Sequence, residues 1–337
     1  MTYQITVHPG DLAFQSEPDE TLLDAALRQG LSMPYGCKSG ACGACRGQIA
    51  SGEIDPGPYQ SFALSKADLA AGKALFCCAR AKSDLVVEHP GIVPGNVIQP
   101  KVISVRVEEM IRRAPDVMEL LLRLPASERF PFEAGQFVDF LLADGRRRSY
   151  SIANAPKREG VLELHVRLVP GGYFTSHVFT AMKVKDILRL EGPFGGFFLR
   201  ESEKPAILLA SGTGFAPVKG MVEHALARQS TRPLHIYWGC RKSVDLYRAD
   251  LPRHWADTRA HVRYTPVLSE PDADWTGRTG PVHLAALADY PDLSGHQVYA
   301  CGNPAMIDAA RRDFVQLGNL PDAEFLADAF TFAATGK

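Results

Sequence analysis

The sequence has almost no net charge and no long apolar run. Its 337 residues include 37 Lys and Arg against 38 Asp and Glu, which gives a formal net charge of −1 at pH 7. Such a balance supplies no general field that would attract nucleic acid or an anionic membrane. The longest apolar runs, such as AILLA, are far shorter than the ~20 residues that a membrane-spanning helix needs. We therefore expect no nucleic-acid partner and no membrane partner.

The chain also lacks the marks of a secreted protein. Its first residues, MTYQITVHPG, have no basic start followed by an apolar core, so no signal peptide is predicted. The cysteines number seven, and an odd count in a long chain favours free thiols and metal ligands over a disulfide scaffold. These features predict a cytoplasmic protein.

Three stretches of the chain differ in pattern. The first combines alternating apolar residues in YQITVH with helical spacing in TLLDAALRQG, and it ends at the Pro- and Gly-rich IVPGNVIQP. The second carries strand-like runs separated by turn signals, which is typical of an antiparallel barrel or sandwich. The third alternates strands, Gly-rich turns and helices, which indicates a parallel sheet covered by helices. The predicted domains are residues 1–93, 101–200 and 201–337, with a linker at 94–100.

A cysteine motif, PYGCKSGACGACRGQI, lies in the first stretch. Cys37, Cys42 and Cys45 have the spacing C-x4-C-x2-C, the plant-type pattern for a 2Fe–2S cluster that takes a fourth cysteine further on. Glycine and alanine fill the loop and let its backbone N–H groups approach the sulfur atoms. The alternative is a structural zinc site, but such sites usually pair two C-x2-C knuckles and only one is present.

The fourth ligand is expected in LFCCARAKSD, which offers Cys77 and Cys78. The segment as a whole resembles plant-type ferredoxin domains, specifically those fused to bacterial reductases. This resemblance implies an α+β fold of the β-grasp type, with Cys77 as the ligand and Cys78 as a small buried thiol.

The second stretch contains RRRSYSIAN, whose RSYS portion resembles the Arg-x-Tyr-Ser flavin motif of the ferredoxin–NADP reductase family. The resemblance implies an antiparallel β-barrel that binds FAD. Arg148 would hold the pyrophosphate through bidentate contacts, Tyr150 would stack on the isoalloxazine, and Ser151 would lie by its N5 atom. HVRLVPGGYFT resembles the second flavin segment of the family. The remaining predicted FAD-binding residues are Ser149, His165, Val166, Arg167, Tyr173, Phe174 and Thr175.

The third stretch contains two strand–turn–helix junctions. In ASGTGFAPVKG, the turn of Gly212, Thr213 and Gly214 presents backbone N–H groups and a helix N-terminus to a phosphate. In CGNP, the resemblance places Cys301 against the nicotinamide, although a structural thiol is the default for a lone cysteine, and Gly302 is a further predicted cofactor-binding residue. The family also carries an acidic residue and an aromatic ring over the flavin, which correspond here to Asp328 and Phe330. The resemblance thus implies an α/β parallel-sheet domain for NAD(P)H, with Ser151, Cys301, Asp328 and Phe330 at the reacting centre.

The sequence favours NADH over NADPH. NADPH-using relatives carry a Ser-Arg pair at the loop where this chain has Ser269 and Glu270. A carboxylate repels a 2′-phosphate and accepts hydrogen bonds from a ribose hydroxyl. The opposing feature is the basic pair Arg241 and Lys242 after the strand LHIYWGC.

The order of the three domains resembles the one-chain reductase components of bacterial oxygenases, a group that includes reductases of the terephthalate dioxygenase, phenol hydroxylase and CDP-6-deoxyglucoseen types. The resemblance implies an oxidoreductase that passes electrons from NADH through FAD and a 2Fe–2S cluster to a separate terminal oxygenase or similar redox protein. The alternatives are a flavin reductase with a zinc-stabilised docking module, an electron donor for a CDP-sugar dehydrase, and a redox-sensing interaction protein without turnover.

Overall fold

The structure is a computed structural model that describes residues 2–10, 12–61, 63–89, 91–95, 98–156 and 160–330. The chain divides into two compact units. The first comprises Met1–Ile98, Gly195–Phe197 and the segment that begins at Ala327, and the second comprises Gln99–Phe194 and Phe198–Leu326. The first unit contains the cysteine motif together with Asp328 and Phe330. The second contains the other segments predicted to bind flavin and nucleotide.

Within the described residues, the first unit is a mixed β-sheet with two short helices. Its elements are β1 (Tyr3–His8), β2 (Leu12–Ser16), α1 (Leu22–Arg28), β3 (Leu31–Ser32), β4 (Arg46–Ser51), β5 (Ile54–Asp55), α2 (Lys66–Ala70), β6 (Lys73–Leu75), β7 (Arg80–Ala81), β8 (Leu85–Glu88) and β9 (Val93–Pro94). The main sheet has the order β2-β1-β8-β4-β6, in which β1 and β8 are parallel. Helix α1 begins where the Thr21 side chain accepts the N–H of Asp24, and it buries Leu22 and Leu23. This arrangement confirms the predicted β-grasp fold.

The second unit begins with an antiparallel barrel. Its elements are β10 (Lys101–Ala114), β11 (Val117–Arg123), β12 (Phe137–Leu141), β13 (Arg147–Ser151), β14 (Val161–Arg167), α3 (Tyr173–Thr180) and β15 (Ile187–Phe194). The strand order is β13-β12-β15-β10-β11-β14, and an isolated bridge between Ile152 and Leu164 joins the two ends. Alternate residues such as Leu120, Leu164 and Leu190 fill the interior and are fully buried. The predicted barrel is therefore confirmed.

The same unit continues into a parallel sheet with helices. Its elements are β16 (Ala206–Ser211), α4 (Phe215–Ala227), β17 (Leu234–Cys240), α5 (Asp250–Thr258), β18 (Val262–Leu268), β19 (Arg278–Thr279), α6 (Val282–Asp289), β20 (Gln297–Gly302), α7 (Pro304–Gln316) and β21 (Phe325–Ala329). The last three residues of β21 belong to the first unit. The order is β19-β18-β17-β16-β20-β21, with β16 parallel to both β17 and β20. The order reverses between β16 and β20, which creates the crevice where open α/β sheets bind ligands.

Across the described residues, none of the helices combines the length and the apolar character needed to cross a membrane.

Candidate cofactor sites

The cysteine loop lies between β3 and β4, and its path depends on glycine. Gly40 and Gly43 have φ values of +70° and +73°. A Cβ atom on Gly40 would lie 2.6 Å from the carbonyl oxygen of Pro58, so no larger residue fits without a shift of the backbone. The loop can therefore wrap closely around a bound group.

The four predicted ligands form two pairs of thiols within the first unit. Cys37 is hydrogen-bonded to Cys42, and Cys45 to Cys77. In each pair the contact lowers the pKa of one thiol, that of Cys37 or Cys77, and raises the pKa of its partner, Cys42 or Cys45. The backbone also donates to sulfur, because the N–H of Ala41 lies 3.3 Å from Cys37 Sγ. A 2Fe–2S cluster is held by four cysteine thiolates, so this donor set fits the cluster.

Cys78 lies beside this group and is hydrogen-bonded to Cys77 alone among the four predicted ligands. Its Sγ atom is 3.6 Å from that of Cys77, and its side chain is buried. The thiol of Cys45 contacts Cys77 rather than Cys78, which supports Cys77 as the fourth ligand.

Asp328 lies against the cysteine loop. Its Oδ1 atom would be 3.2 Å from a Cβ atom on Gly36, and the residue is buried. Burial raises the pKa of Asp328 to about 7, and the charge of Cys37 adds to the effect. The sequence predicted a role for Asp328 and Phe330 at the flavin, and that role stays a prediction. Phe330 is half-buried and is the last residue that the structure describes.

Strand β13 directs its side chains alternately to two faces. On one face, the Ser149 hydroxyl donates to Asp139 at 2.6 Å, and Arg147 pairs with Glu191. On the other face, the ring of Tyr150 lies 5.6 Å from the ring of Phe174. Burial raises the pKa of Tyr150, so its hydroxyl stays protonated. The alternation places Arg148 on the face of Tyr150.

Arg148 is suited to bind an anion. Its Nη1 atom donates to the carbonyl of Arg147 at 2.7 Å, and within the described part of the chain it forms no ion pair. Ser151, two strand positions beyond Ser149, is buried at the end of β13 in register with Phe137. A guanidinium with donors left over, beside a half-buried tyrosine, fits the pyrophosphate and ring of FAD.

The second predicted flavin segment contributes through both its strand and its helix. Val166 belongs to the barrel core, and His165 is buried with its ring bonded to Glu163 and Tyr247. Arg167 donates to Asp116 at 2.7 Å and reaches the nucleotide turn, where its Nη1 atom would lie 3.0 Å from a Cβ atom on Gly212. The structure therefore brings the predicted flavin strand and the predicted nucleotide turn together.

The residues at the start of α3 have different surroundings. The Tyr173 ring is 61% exposed and lies under the guanidinium of Arg146. Phe174 packs on Phe140 with ring centroids 4.5 Å apart, and the Thr175 hydroxyl accepts the N–H of Val169. Phe174 and Thr175 thus hold the turn before α3, whose N-terminus offers N–H groups to a phosphate.

The ends of β16 and β20 meet through backbone atoms. A Cβ atom on Gly214 would lie 2.3 Å from the carbonyl oxygen of Cys301, and one on Gly302 would lie 2.4 Å from Ser211 Oγ. The Ser211 hydroxyl accepts the N–H of Asn303 at 2.8 Å. The turn from Gly212 through Thr213 therefore lies at the crevice between the two strands, while the Cys301 side chain is fully buried. Two Gly-containing turns that lead into helices suit a dinucleotide.

The loops after β17 and β18 are joined by their backbones. Ser269 N–H donates to Cys240 and Glu270 N–H donates to Arg241, each at 2.9 Å. The side chains of Glu270 and Arg241 are exposed. Glu270, which favours NADH, and Arg241, the opposing basic residue, thus lie near each other at the carboxyl ends of β17 and β18.

Comparison with known proteins decides the family. Three family models match in order: a 2Fe-2S iron-sulfur cluster binding domain at residues 5–82, an oxidoreductase FAD-binding domain at 104–199 and an oxidoreductase NAD-binding domain at 208–312. A CDP-6-deoxy-L-threo-D-glycero-4-hexulose-3-dehydrase reductase from Yersinia pestis is 43% identical over 98% of this chain and 99% of its own.

The chain belongs to the ferredoxin reductases that combine these three domains in one polypeptide. The reductase component DmpP of phenol 2-monooxygenase from Pseudomonas sp. strain CF600 is 36% identical over 100% of this chain and 96% of its own. The crystal structure of the Amycolatopsis cytochrome P450 reductase GcoB matches with a TM-score of 0.80 and 35% identity, covering 99% of this chain and 100% of that one.

These matches confirm the predicted fold class and the predicted set of cofactors for this ferredoxin reductase. The family is one of FAD- and NAD-binding oxidoreductases with a 2Fe–2S domain, so a zinc-stabilised module is not favoured. The role of each site residue stays a prediction.

One residue of the reductase site was missed by the sequence. Trp238 stacks on Phe215 with ring centroids 4.0 Å apart, and its Nε1 atom donates to the Gly212 carbonyl at 2.9 Å. Trp238 therefore holds the turn at Gly212–Gly214 through this hydrogen bond and through its stacking on Phe215. The only available signal was a tryptophan directly before the Gly-Cys end of a buried strand.

We predict that Cys77→Ser abolishes the cluster but leaves FAD bound, because the thiol pairs and the flavin residues lie in different units. Cys78→Ser is the matched control and should keep its iron. Iron and sulfide content and the visible spectrum are the measurements. Loss of iron from Cys78→Ser with normal iron in Cys77→Ser would reverse the assignment.

We predict that Ser151→Ala slows the reduction of FAD by NADH by about 10–1000-fold, the effect of losing one positioned polar group at a reacting centre. Stopped-flow absorbance of the flavin gives this rate. Ser104→Ala, at an exposed position of the same barrel, is the control and should change nothing. An unchanged rate with FAD retained would show that Ser151 is only structural.

Proposed function

We propose that this reductase takes electrons from NADH and delivers them singly to a separate redox protein, a terminal oxygenase being the main candidate. The observation that carries the proposal is the pairing of four cysteine thiols in the first unit of a chain whose second unit contains the FAD- and NAD-binding folds. Hydride from NADH arrives as two electrons, FAD can pass them on separately, and the cluster carries one at a time.

The residues of the chain have distinct roles in this proposal. Arg148 binds the FAD pyrophosphate, Tyr150 covers the flavin ring, and the turn at Gly212–Gly214 binds the coenzyme phosphates. Close backbone packing at Cys301 supports a nicotinamide site at the crevice. The proposed domain limits are 1–93, 101–200 and 201–337, and the proposed location is the cytoplasm, where thiols stay reduced.

The test is anaerobic titration of the purified holoprotein with NADH. Flavin and iron–sulfur absorbance should both bleach, and the reduced protein should then reduce cytochrome c. Bleaching by dithionite but not by NADH would refute the proposal. Bleaching of the flavin alone, in a protein that contains zinc and no iron, would establish the docking-module alternative.

A second partner class is supported by one observation, the 43% identity to a reductase whose name specifies a CDP-sugar dehydrase. Relatives whose names specify phenol 2-monooxygenase and terephthalate 1,2-dioxygenase are 36% and 34% identical. The discriminating experiment offers the NADH-reduced protein a purified dehydrase and purified oxygenase components in parallel, and follows reoxidation of the cluster. The faster acceptor identifies the class.

We predict a preference for NADH that depends on Glu270. Glu270→Arg should shift the ratio of kcat/KM toward NADPH by about 1–2 kcal/mol, because an exposed carboxylate repels a 2′-phosphate and a guanidinium attracts it. The ratio is measured with one artificial acceptor. Asp274→Arg is the matched control, since it makes the same charge change at another exposed position nearby.

Equal effects of the two variants would mean that general charge, and not a contact from Glu270, sets the preference. A wild-type protein that favours NADPH would overturn the assignment of NADH.

A further inference from the structure

A cluster of buried ionisable side chains lies between the barrel and the parallel sheet of the second unit. Glu163 is 2% exposed, Lys219 3%, and His165 and Glu119 4% each. Charged side chains leave water only at a large cost, so each must find partners in the protein.

Lys219 connects helix α4 to the flavin barrel. Its Nζ atom lies 3.0 Å from Glu163 Oε1 on β14 and donates to the Ala153 carbonyl at 3.1 Å. Burial raises the pKa of Glu163, but the hydrogen bond from His165 and the charge of Lys219 outweigh it and lower the pKa to about 2. Glu163 is therefore a carboxylate, and the contact with Lys219 is an ion pair.

His165 extends the connection to a second segment of the nucleotide-binding part. Its Nε2 atom lies 3.0 Å from Glu163 Oε1, and its Nδ1 atom lies 2.8 Å from the hydroxyl of Tyr247. Tyr247 is itself held edge-on against Trp238, the residue that supports the nucleotide turn. Glu163, His165, Lys219 and Tyr247 are called the positioning network below.

A neighbouring ion pair also connects the barrel to the nucleotide-binding part. Arg248, next to Tyr247, donates to Glu119 Oε2 at 2.7 Å, and Arg113 donates to the same carboxylate. Glu119 and His165 face each other across β11 and β14. Two adjacent barrel strands are thus bound to two separate segments of the nucleotide-binding part.

The same side chains do not form a metal site. Oxygen and nitrogen atoms of Glu119, Glu163 and His165 lie within 4.8 Å of one another, as metal ligands do. However, Lys219 already pairs with Glu163, and both Arg113 and Arg248 pair with Glu119. A metal ion would have to displace three bound cations, so the carboxylates serve the ion pairs.

The network acts on the two segments predicted to hold the reactants. Ala153 is two residues beyond Ser151, and α4 begins at the nucleotide turn four residues before Lys219. Contact is close, since a Cβ atom on Gly220 would lie 3.1 Å from the Ile152 carbonyl oxygen. Hydride transfer needs reacting atoms held near 3–3.5 Å apart, and a shift of about 1 Å can cost ~100-fold in rate.

We propose that Glu163, His165, Lys219 and Tyr247 are positioning residues that fix the nucleotide turn on the flavin motif in the register required for hydride transfer. The proposal rests on reduction of FAD by NADH as proposed above. His165 is the one member of the network that is also a predicted FAD-binding residue. Lys219, Glu163 and Tyr247 are not predicted cofactor ligands, so their loss should affect geometry more than binding.

The test uses the FAD-loaded full chain with Lys219→Met, Glu163→Gln and the double variant. Stopped-flow reduction at saturating NADH gives the limiting rate per bound FAD, and titration with NAD⁺ gives the dissociation constant. We expect the limiting rate of Lys219→Met to fall by about 10-fold or more, while the dissociation constant changes by less than about 3-fold. Glu223→Gln, which removes the partly exposed partner of the same lysine, is the matched control and should leave both unchanged.

Amide hydrogen exchange gives a readout that does not depend on turnover. The Ala153 N–H donates to the Glu163 carbonyl, and the Glu163 N–H donates to Asn154 Oδ1, each at 2.8 Å. Their exchange should quicken in Lys219→Met and stay normal in Glu223→Gln. Normal exchange and an unchanged limiting rate in Lys219→Met would overturn the proposal.

Tyr247→Phe tests the same proposal if Lys219→Met and Glu163→Gln do not fold. It removes only the hydroxyl partner of His165 and preserves the ring contacts. We expect a fall in limiting rate of about 3–10-fold, given that the misplacement is smaller than for Lys219. A lower thermal midpoint with an unchanged rate per bound FAD would assign the network to stability alone and overturn the proposal. Failure of NADH to reduce the wild-type protein would instead refute the proposed function.

Discussion

In the proposed mechanism, the ion pair between Lys219 and Glu163 sets the geometry at the junction of the flavin barrel and the nucleotide-binding part. Both groups are almost fully buried, and apolar residues of similar volume would often be equally stable or more stable in such a place. Apolar packing does not discriminate strongly between nearby registers, whereas a lysine that must reach one carboxylate and one carbonyl does. The chain therefore keeps a costly pair where α4 meets β14, at the junction between the flavin motif and the nucleotide turn.

Close backbone approach is the second constraint, and it recurs in both units. Gly40 lets the cysteine loop pass the carbonyl of Pro58, and Gly214 lets the nucleotide turn rest on the carbonyl of Cys301. In each case a methyl group would collide with backbone atoms, so the backbone would have to shift. The cluster loop and the coenzyme turn thus share a requirement that arises from geometry and not from the chemistry of the ligand.

The parts of the sites that sequence could predict are those encoded over short distances. The spacing of Cys37, Cys42 and Cys45, the RSYS motif on β13 and the GTG turn each lie within a few residues, and the structure shows the expected loop, strand and turn. Lys219 and Glu163 are 56 positions apart in the sequence. The residues around Lys219 form no motif from which its ion-pair partner could be predicted. The position of Asp328 against Gly36 was beyond reach for the same reason, because β21 reaches the cysteine loop only through the tertiary fold.

The loops after β17 and β18, which are predicted to select the coenzyme, differ from these sites because the side chains expected to make the selection are exposed. Backbone hydrogen bonds from Ser269 and Glu270 to the preceding loop fix where the two segments lie, and they would form with almost any side chains. The side chains of Glu270 and Arg241 extend into solvent, where ion contacts are weak and screened by salt. In the proposed function, selectivity between NADH and NADPH rests on exposed charges, while the hydride-transfer geometry rests on packed and buried groups. Changes of a single residue should alter coenzyme choice far more readily than they alter the core of the reductase.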